Sequence, residues 1–222
     1  MPAEFSHRIQ DLVGFDYDSN TINSEDEALE VAAAEVIDLL PTEVLLKNAV
    51  SPTDVVSGST TMNIDGKKIL RVIRFDTLNT VGRVCSKVDI DEWKGITADS
   101  NSIYHPTDHS PVYTENGTTL EIFPDITGSA NNADSAKVWY ITYPIGASTE
   151  SLSAIPGLPN EADHAVALKA SMYILDTMIS DKVQDDEDEE MLRMLQAQKQ
   201  NLEQTYQLEM QRLAGDSQGE KA

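Results

Sequence analysis

The sequence contains a single cysteine, Cys85. One cysteine excludes an internal disulfide and a cysteine-based zinc site. Cations are scarce: 16 Lys and Arg stand against 38 Asp and Glu, a formal charge of −22. Gripping DNA or RNA requires clustered Lys and Arg, so a nucleic-acid binder is disfavoured. Attachment to an anionic membrane surface is disfavoured for the same reason. No apolar run approaches the roughly 20 residues that span a bilayer. The N-terminal stretch Met1–Arg8 lacks the basic-then-apolar order of a signal peptide. The expected setting is therefore the cytoplasm or a particle assembled there. A glycine-rich phosphate loop is also missing, because Gly58, Gly66, Gly82 and Gly117 stand singly. There is no internal repeat.

What is present suits a folded domain. The chain has 222 residues and is 40% apolar, enough for one ordinary core or a core with one inserted lobe. It divides into three blocks. Residues 1–52 read as an N-terminal arm and a helix pair. Ser24 and Glu27 have capping-box spacing, and Glu25 and Asp26 suit a helix start. Ala28, Leu29, Ala32, Ala33, Val36, Ile37 and Leu40 then recur at helical spacing. Pro41 ends that helix and can open a second over 42–50.

Residues 53–150 read as a β-rich insertion. Asp65-Gly66 separates two β-prone runs, 60–64 and 67–75, and predicts a hairpin. Asn116-Gly117 predicts a second, joining 111–114 to 118–123. Ala136–Tyr143 predicts a strand, with Val138 and Tyr140 on one face and Trp139 and Ile141 on the other. Residues 89–93 suggest a helical turn, and 128–134 a polar loop tip. Trp93, Trp139, Tyr113, Tyr140 and Tyr143 are expected to pack this block.

Residues 151–222 read as two more helices and a flexible tail. Asn160 is the expected N-cap of a helix reaching about Lys182, with Ala165, Leu168, Met172, Leu175 and Ile179 as its stripe. A last helix should reach about Ala214, a length of about 40 Å. On it Met191, Leu195, Gln198, Leu202, Tyr206, Glu209 and Leu213 recur at near-heptad intervals. The expected class is thus α+β: an α-helical bundle from the N- and C-terminal helices, a β-rich, hairpin- or sandwich-like insertion, and a long C-terminal helix.

Candidate chemistry is sparse. His105 and His109 are four apart, but Pro106 and Pro111 argue for a solvated turn in place of a metal-binding helix. His7 falls in the mobile arm, and His164 in a first helical turn. Cys85, between Val84 and Ser86 in a strand-like run, suits a buried thiol better than a nucleophile. Asp16–Asn20 has a calcium-loop flavour without the required Gly and Glu. The acidic run 185–190 suits a helix start exposed to water. The methionines Met172, Met178, Met191, Met194 and Met210 suit a core or a subunit interface. No catalytic, cofactor or metal residue is expected, and the chain is not expected to be an enzyme.

The layout resembles the head-to-tail adaptor (connector, or neck) proteins of tailed bacteriophages. The resemblance lies in three stretches. One is the Ala-rich helix pair 25–50. The second is the β insertion: Asp91-Glu92-Trp93, then 111–124 through its Asn-Gly turn, then Val138–Pro144. The third is Leu158–Ala170, a proline-led loop opening a small-residue helix, followed by an acidic turn and a long amphipathic helix. The resemblance implies a structural virion protein of the neck. Its subunits would form a homo-oligomeric ring, typically twelvefold, below the portal protein. The ring would extend the channel through which double-stranded DNA passes without specific binding, and would offer a platform to a downstream neck or tail protein. By the same analogy the last helix is the portal-contacting segment, with Met191, Leu195, Leu202, Tyr206, Met210 and Leu213 as its interface residues. Two other readings stay open: another tail or neck component, such as a terminator or gatekeeper, and a soluble enzyme with a dispersed site.

Overall fold

The computed structural model describes residues 4–15, 17, 25–47, 49, 53–55, 61–75, 82–98, 100, 102–126, 135–185 and 189–215. For residues 53–55, 184 and 185 only the backbone is described. The chain is α+β and divides into two compact units. A helical unit is drawn from both chain ends, residues 1–48 and 143–222, and a β unit comprises residues 49–142.

The helical unit holds α1 (Phe5–Val13), α2 (Glu25–Leu39), α3 (Thr42–Leu46), α5 (Asn160–Asp185) and α6 (Glu189–Gly215). The N-terminal segment is not a mobile arm. Phe5, Ile9 and Val13, spaced by one helical turn, are fully buried, and Gly14 ends the helix with φ 71°. The sequence signal was that i, i+4, i+8 stripe and its terminal glycine. The capping-box Ser24 and the calcium-like stretch Asp16–Asn20, apart from Tyr17, lie outside the described residues. Pro41 ends α2 and starts α3, its carbonyl accepting the N–H groups of Val44 and Leu45.

Helix α5 is the axis of this unit, packing against α1, α2 and α6. Contact on three sides explains why its first four turns are apolar nearly all round, with Ala162, Ala165, Val166, Ala167, Leu168 and Ala170 all buried. Small residues let the neighbouring helices approach closely. Asn160 lies inside the helix. The Pro159 carbonyl accepts the first helical N–H groups, while buried Asp163 reaches back to the N–H of Ile155 at 3.1 Å. The acidic run 185–190 falls mainly outside the described side chains.

The β unit holds two four-stranded sheets. One has the order β1 (Thr53–Val55), β8 (Ser135–Thr142), β3 (Lys67–Phe75), β4 (Gly82–Val84). The other has the order β2 (Thr61–Asn63), β7 (Thr119–Phe123), β6 (Val112–Asn116), β5 (Ser86–Lys87). Pairing is antiparallel except between β5 and β6. A short helix, α4 (Ile90–Ala98), follows β5. The core between the sheets joins Val72, Ala136 and Val138 of one to Tyr113, Leu120 and Ile122 of the other, with Ile64, Cys85 and Ile126.

The Asn116-Gly117 hairpin is present, with Asn116 opposite Thr119. The Asp65-Gly66 turn is also formed, with Gly66 at φ 64°, but it does not make a hairpin. Its first arm, β2, pairs with β7, whereas its second, β3, pairs with β8 and β4. The turn therefore carries the chain from one sheet to the other. Cys85 is a second crossing: its N–H bonds Val72, while the next residue, Ser86, bonds Pro111. A bulge between Ile69 and Arg71 shifts the phase of β3. Ile69 and Val72 consequently both face the inter-sheet core, as do Val138 and Tyr140 of β8. The polar tip 128–134 lies outside the described residues.

Candidate functional site

The helical unit concentrates the charge. Residues 1–48 and 143–222 contain 26 acids and eight bases, a formal charge of −18. Residues 49–142 contain 12 acids and eight bases, a charge of −4. The molecule is thus a strongly acidic helical body and a nearly balanced β body.

A row of carboxylates on α2 organises this body. Segment 143–152, which leads from β8 back into the helices, runs antiparallel along α2. Tyr143 donates to Asp38 at 2.7 Å, the Gly146 N–H to Glu30 at 3.2 Å, and the Thr149 N–H to Asp26 at 2.7 Å. The Thr149 hydroxyl lies 2.9 Å from Asp26 and 3.2 Å from Glu25. The strap then meets α1, where the Phe5 and Ser6 N–H groups bond the carbonyls of Leu152 and Thr149. Tyr17 donates to Glu25 at 2.6 Å, and burial followed by that bond pushes its phenol pKa upward. These acids are structural acceptors, so part of the negative charge is built into the fold.

A second network links three helices. Lys169 of α5 pairs with Glu35 of α2 at 2.9 Å, and its ammonium sits over the rings of Tyr173 and Tyr206. Tyr173 donates to Glu35, which with the lysine holds that carboxyl below the usual range. Tyr206 of α6 brings a buried hydroxyl with no hydrogen-bond partner among the described residues. Lys199 of α6 pairs with Asp176 of α5.

The expected interface stripe lies largely within the chain's own fold. Leu195, Leu202 and Leu213 are buried in the single chain, and Met191, Tyr206 and Met210 are half-buried. Gln198, which breaks the apolar stripe, donates to the carbonyl of Leu12 at 2.8 Å. The polar interruption is therefore a docking bond to the end of α1. The large apolar side chains that α6 exposes are Met194 and Leu208. Of the other methionines, Met172 is buried and Met178 half-buried.

Outside these helices the histidines occupy different settings. His7 is exposed, 3.7 Å from Glu4. His164 is half-buried on α5. His105 is not in a solvated turn: it lies 3.1 Å from the Ile96 carbonyl and edge-on to Phe123, which also meets Trp93. His109 is exposed and apart from it in role. Asp108, between them, pairs at 2.7 Å with Arg74, a guanidinium only 4% exposed that also bonds the carbonyls of Pro124 and Asp125. Tyr143 belongs to the helical unit and not to the β block. Cys85 is buried, and its thiol is pushed up to about 12 by burial, well away from a nucleophile's range. Among the described residues there is no cluster of three or more metal-ligating side chains, and no helix long and apolar enough to cross a membrane.

The outer side of α2 carries an open apolar face. Val31 is 48% and Leu39 64% exposed. They line two hollows of about 290 and 490 Å³ that share Val31. Glu27, Glu30, Asp38 and Asp176 stand at the rims. Neither this face nor the −18 charge could be located from the sequence, because the periodicity of α2 marks a buried stripe without saying what the opposite side meets. No protein-family model matches the chain, and no curated protein matches it.

Proposed function

We propose that this chain is a structural subunit of the neck of a tailed-phage particle. It forms a homo-oligomeric ring below the portal, typically twelvefold, extends the DNA channel, and seats the next neck or tail protein. It acts without a reaction or cofactor of its own, in the virion. The observation that carries the reading is the charge partition: −18 on the helical body against −4 on the β body. A conduit has to let DNA slide, and an acidic wall repels phosphates where a basic wall would hold them. A helical body made from both chain ends, with a β body between, also agrees with the adaptor layout. A reconstruction of the phage particle tests the reading. A ring of this chain directly beneath the portal is expected. A ring farther down the tail would make it a terminator or gatekeeper, and absence from the particle would overturn the reading.

A further inference from the structure

The outer groove of α2 has an apolar floor and an acidic rim, and both Val31 and Leu39 in it are exposed. Large apolar side chains exposed together on one helix face mark a contact. Among the described residues the charged side chains lining the groove are Glu27, Glu30, Glu35, Asp38 and Asp176, of which Glu35 pairs with Lys169 and Asp176 with Lys199. The net field of the groove is negative. Its occupant must offer apolar side chains together with unspent positive charge.

The chain itself has such a surface. In the sheet β1-β8-β3-β4, Val72, Ala136 and Val138 point to the inter-sheet core, so Arg71, Ile73 and Phe75 point to the opposite face. Register places Lys137 and Trp139 beside them on β8, and Val84 on β4. Lys137 sits 5.3 Å over the Phe75 ring. Gly82 lies beneath Phe75 and Ile73, where even a Cβ would come within 2.9 Å of them, so the aromatic ring is seated on the sheet. Val84 is 53% exposed, and Arg71 is exposed. On β3, β4 and β8 this face has three cations, Lys68, Arg71 and Lys137, and no acid. Asp54 of the edge strand β1 is in register with Lys137 at its margin. Aromatic residues with arginine are the side chains that interface centres favour.

We propose that the α2 groove receives this sheet face of a second copy of the chain. The two surfaces differ, so the contact is head-to-tail and repeats from copy to copy, which closes a ring or runs on as a filament. The inference rests on the ring reading for its biological setting, and its geometry is tested independently of it. Arg71 and Lys137 would meet the acidic rim, and Phe75 and Trp139 the Val31–Leu39 floor.

The test is cross-linking of the full chain with a short bismaleimide. Buried Cys85 is unreactive background, which the wild type controls. Leu39→Cys and Arg71→Cys are made separately, mixed, and combined in one chain, with thermal melts to check folding. The mixture should give at least tenfold more cross-linked dimer than either variant alone, and the double variant a ladder of oligomers. A charge-reversed Arg71→Glu, Lys137→Glu chain that melts like wild type should lose self-association at least tenfold. Equal dimer from either variant alone, or no dimer from the mixture, overturns the interface. A neck ring seen in particles without the mixed cross-link removes this interface alone. The mixed cross-link from a chain found outside particles removes the neck reading alone.

Discussion

Tyr143 donates a hydrogen bond to Asp38 at 2.7 Å, across 105 residues of sequence. It is the first of a series that lays the return strap along α2, through Gly146 and Glu30 to Thr149 and Asp26. The strap marks where the chain leaves the β unit and re-enters the helical one.

Thr149 is 2% exposed, so its hydroxyl has no access to water as an alternative partner. Thr149→Val keeps the shape and removes the hydroxyl's single donated hydrogen bond, within reach of Asp26 and Glu25, while the Thr149 N–H bond to Asp26 stays. A loss of about 1–2 kcal/mol is expected, read by urea denaturation. Asp26→Ala, which also orphans the Thr149 N–H, should cost more than Thr149→Val. Equal stability of Thr149→Val and wild type would contradict the strap's role.

Arg74 and Asp108 form a pair with unequal ends. The arginine side chain is 4% exposed and the aspartate 67%. Arg74→Ala leaves the Pro124 and Asp125 carbonyls without their donor and opens a cavity, and should cost about 2–4 kcal/mol. Asp108→Asn keeps the carbonyl bonds to Arg74 and should cost at most about 1 kcal/mol. Denaturation of both variants checks the ratio, and Arg74→Ala should also speed proteolysis between 100 and 111.

Asp163 is 3% exposed, and burial raises its carboxyl from 3.8 to about 6, against the opposing pull of the Ile155 N–H and Arg8. The folded state therefore holds this proton more tightly than the unfolded state. Above about pH 6 the group is ionised in both states and the fold bears the full cost, on the order of 3 kcal/mol. That cost is relieved as pH falls from 7 towards 4. Wild type should gain more stability than Asp163→Asn between pH 7.5 and 4.5, and the difference between their pH profiles is the measurement. The general relief of negative charge acts on both proteins and cancels in that comparison. Parallel profiles would contradict the assignment.

Helix α6 presents two faces with different duties. Leu195→Ala and Leu202→Ala empty buried sites and should each cost about 2–4 kcal/mol. Met194→Ala and Leu208→Ala, on the open face, should leave stability within about 0.5 kcal/mol. If α6 contacts a portal, the second pair and not the first should lower particle incorporation in folded protein. Deleting Met191–Ala222 should uncover α5 and aggregate the helical unit, read by light scattering.

Much of the fold was legible because it is local. Helical spacing marked α2, α5 and α6, and alternation marked β8, because the repeat of each element is set by backbone geometry. The Asn116-Gly117 hairpin was legible because both arms pair with each other. The stripe of α1 carried the same kind of signal, yet its place near the chain start argued for an arm, and only burial against the other helices shows that it belongs to the core. The candidate surfaces were less legible. The α6 stripe was correctly periodic, but periodicity marks a buried face without naming what buries it.

The sequence by itself determined the kinds of element, the buried Cys85, the scarcity of cations and the turn at Asp65-Gly66. Tertiary structure alone decided which strands that turn connects, since a positive φ at Gly66 bends the chain without selecting partners for its arms. It also decided how −22 divides into −18 and −4, and which side of α2 stays open. Those outcomes depend on contacts between residues more than 50 or 100 positions apart. Such contacts are chosen by the packing of the whole chain, and no local run of side chains encodes them.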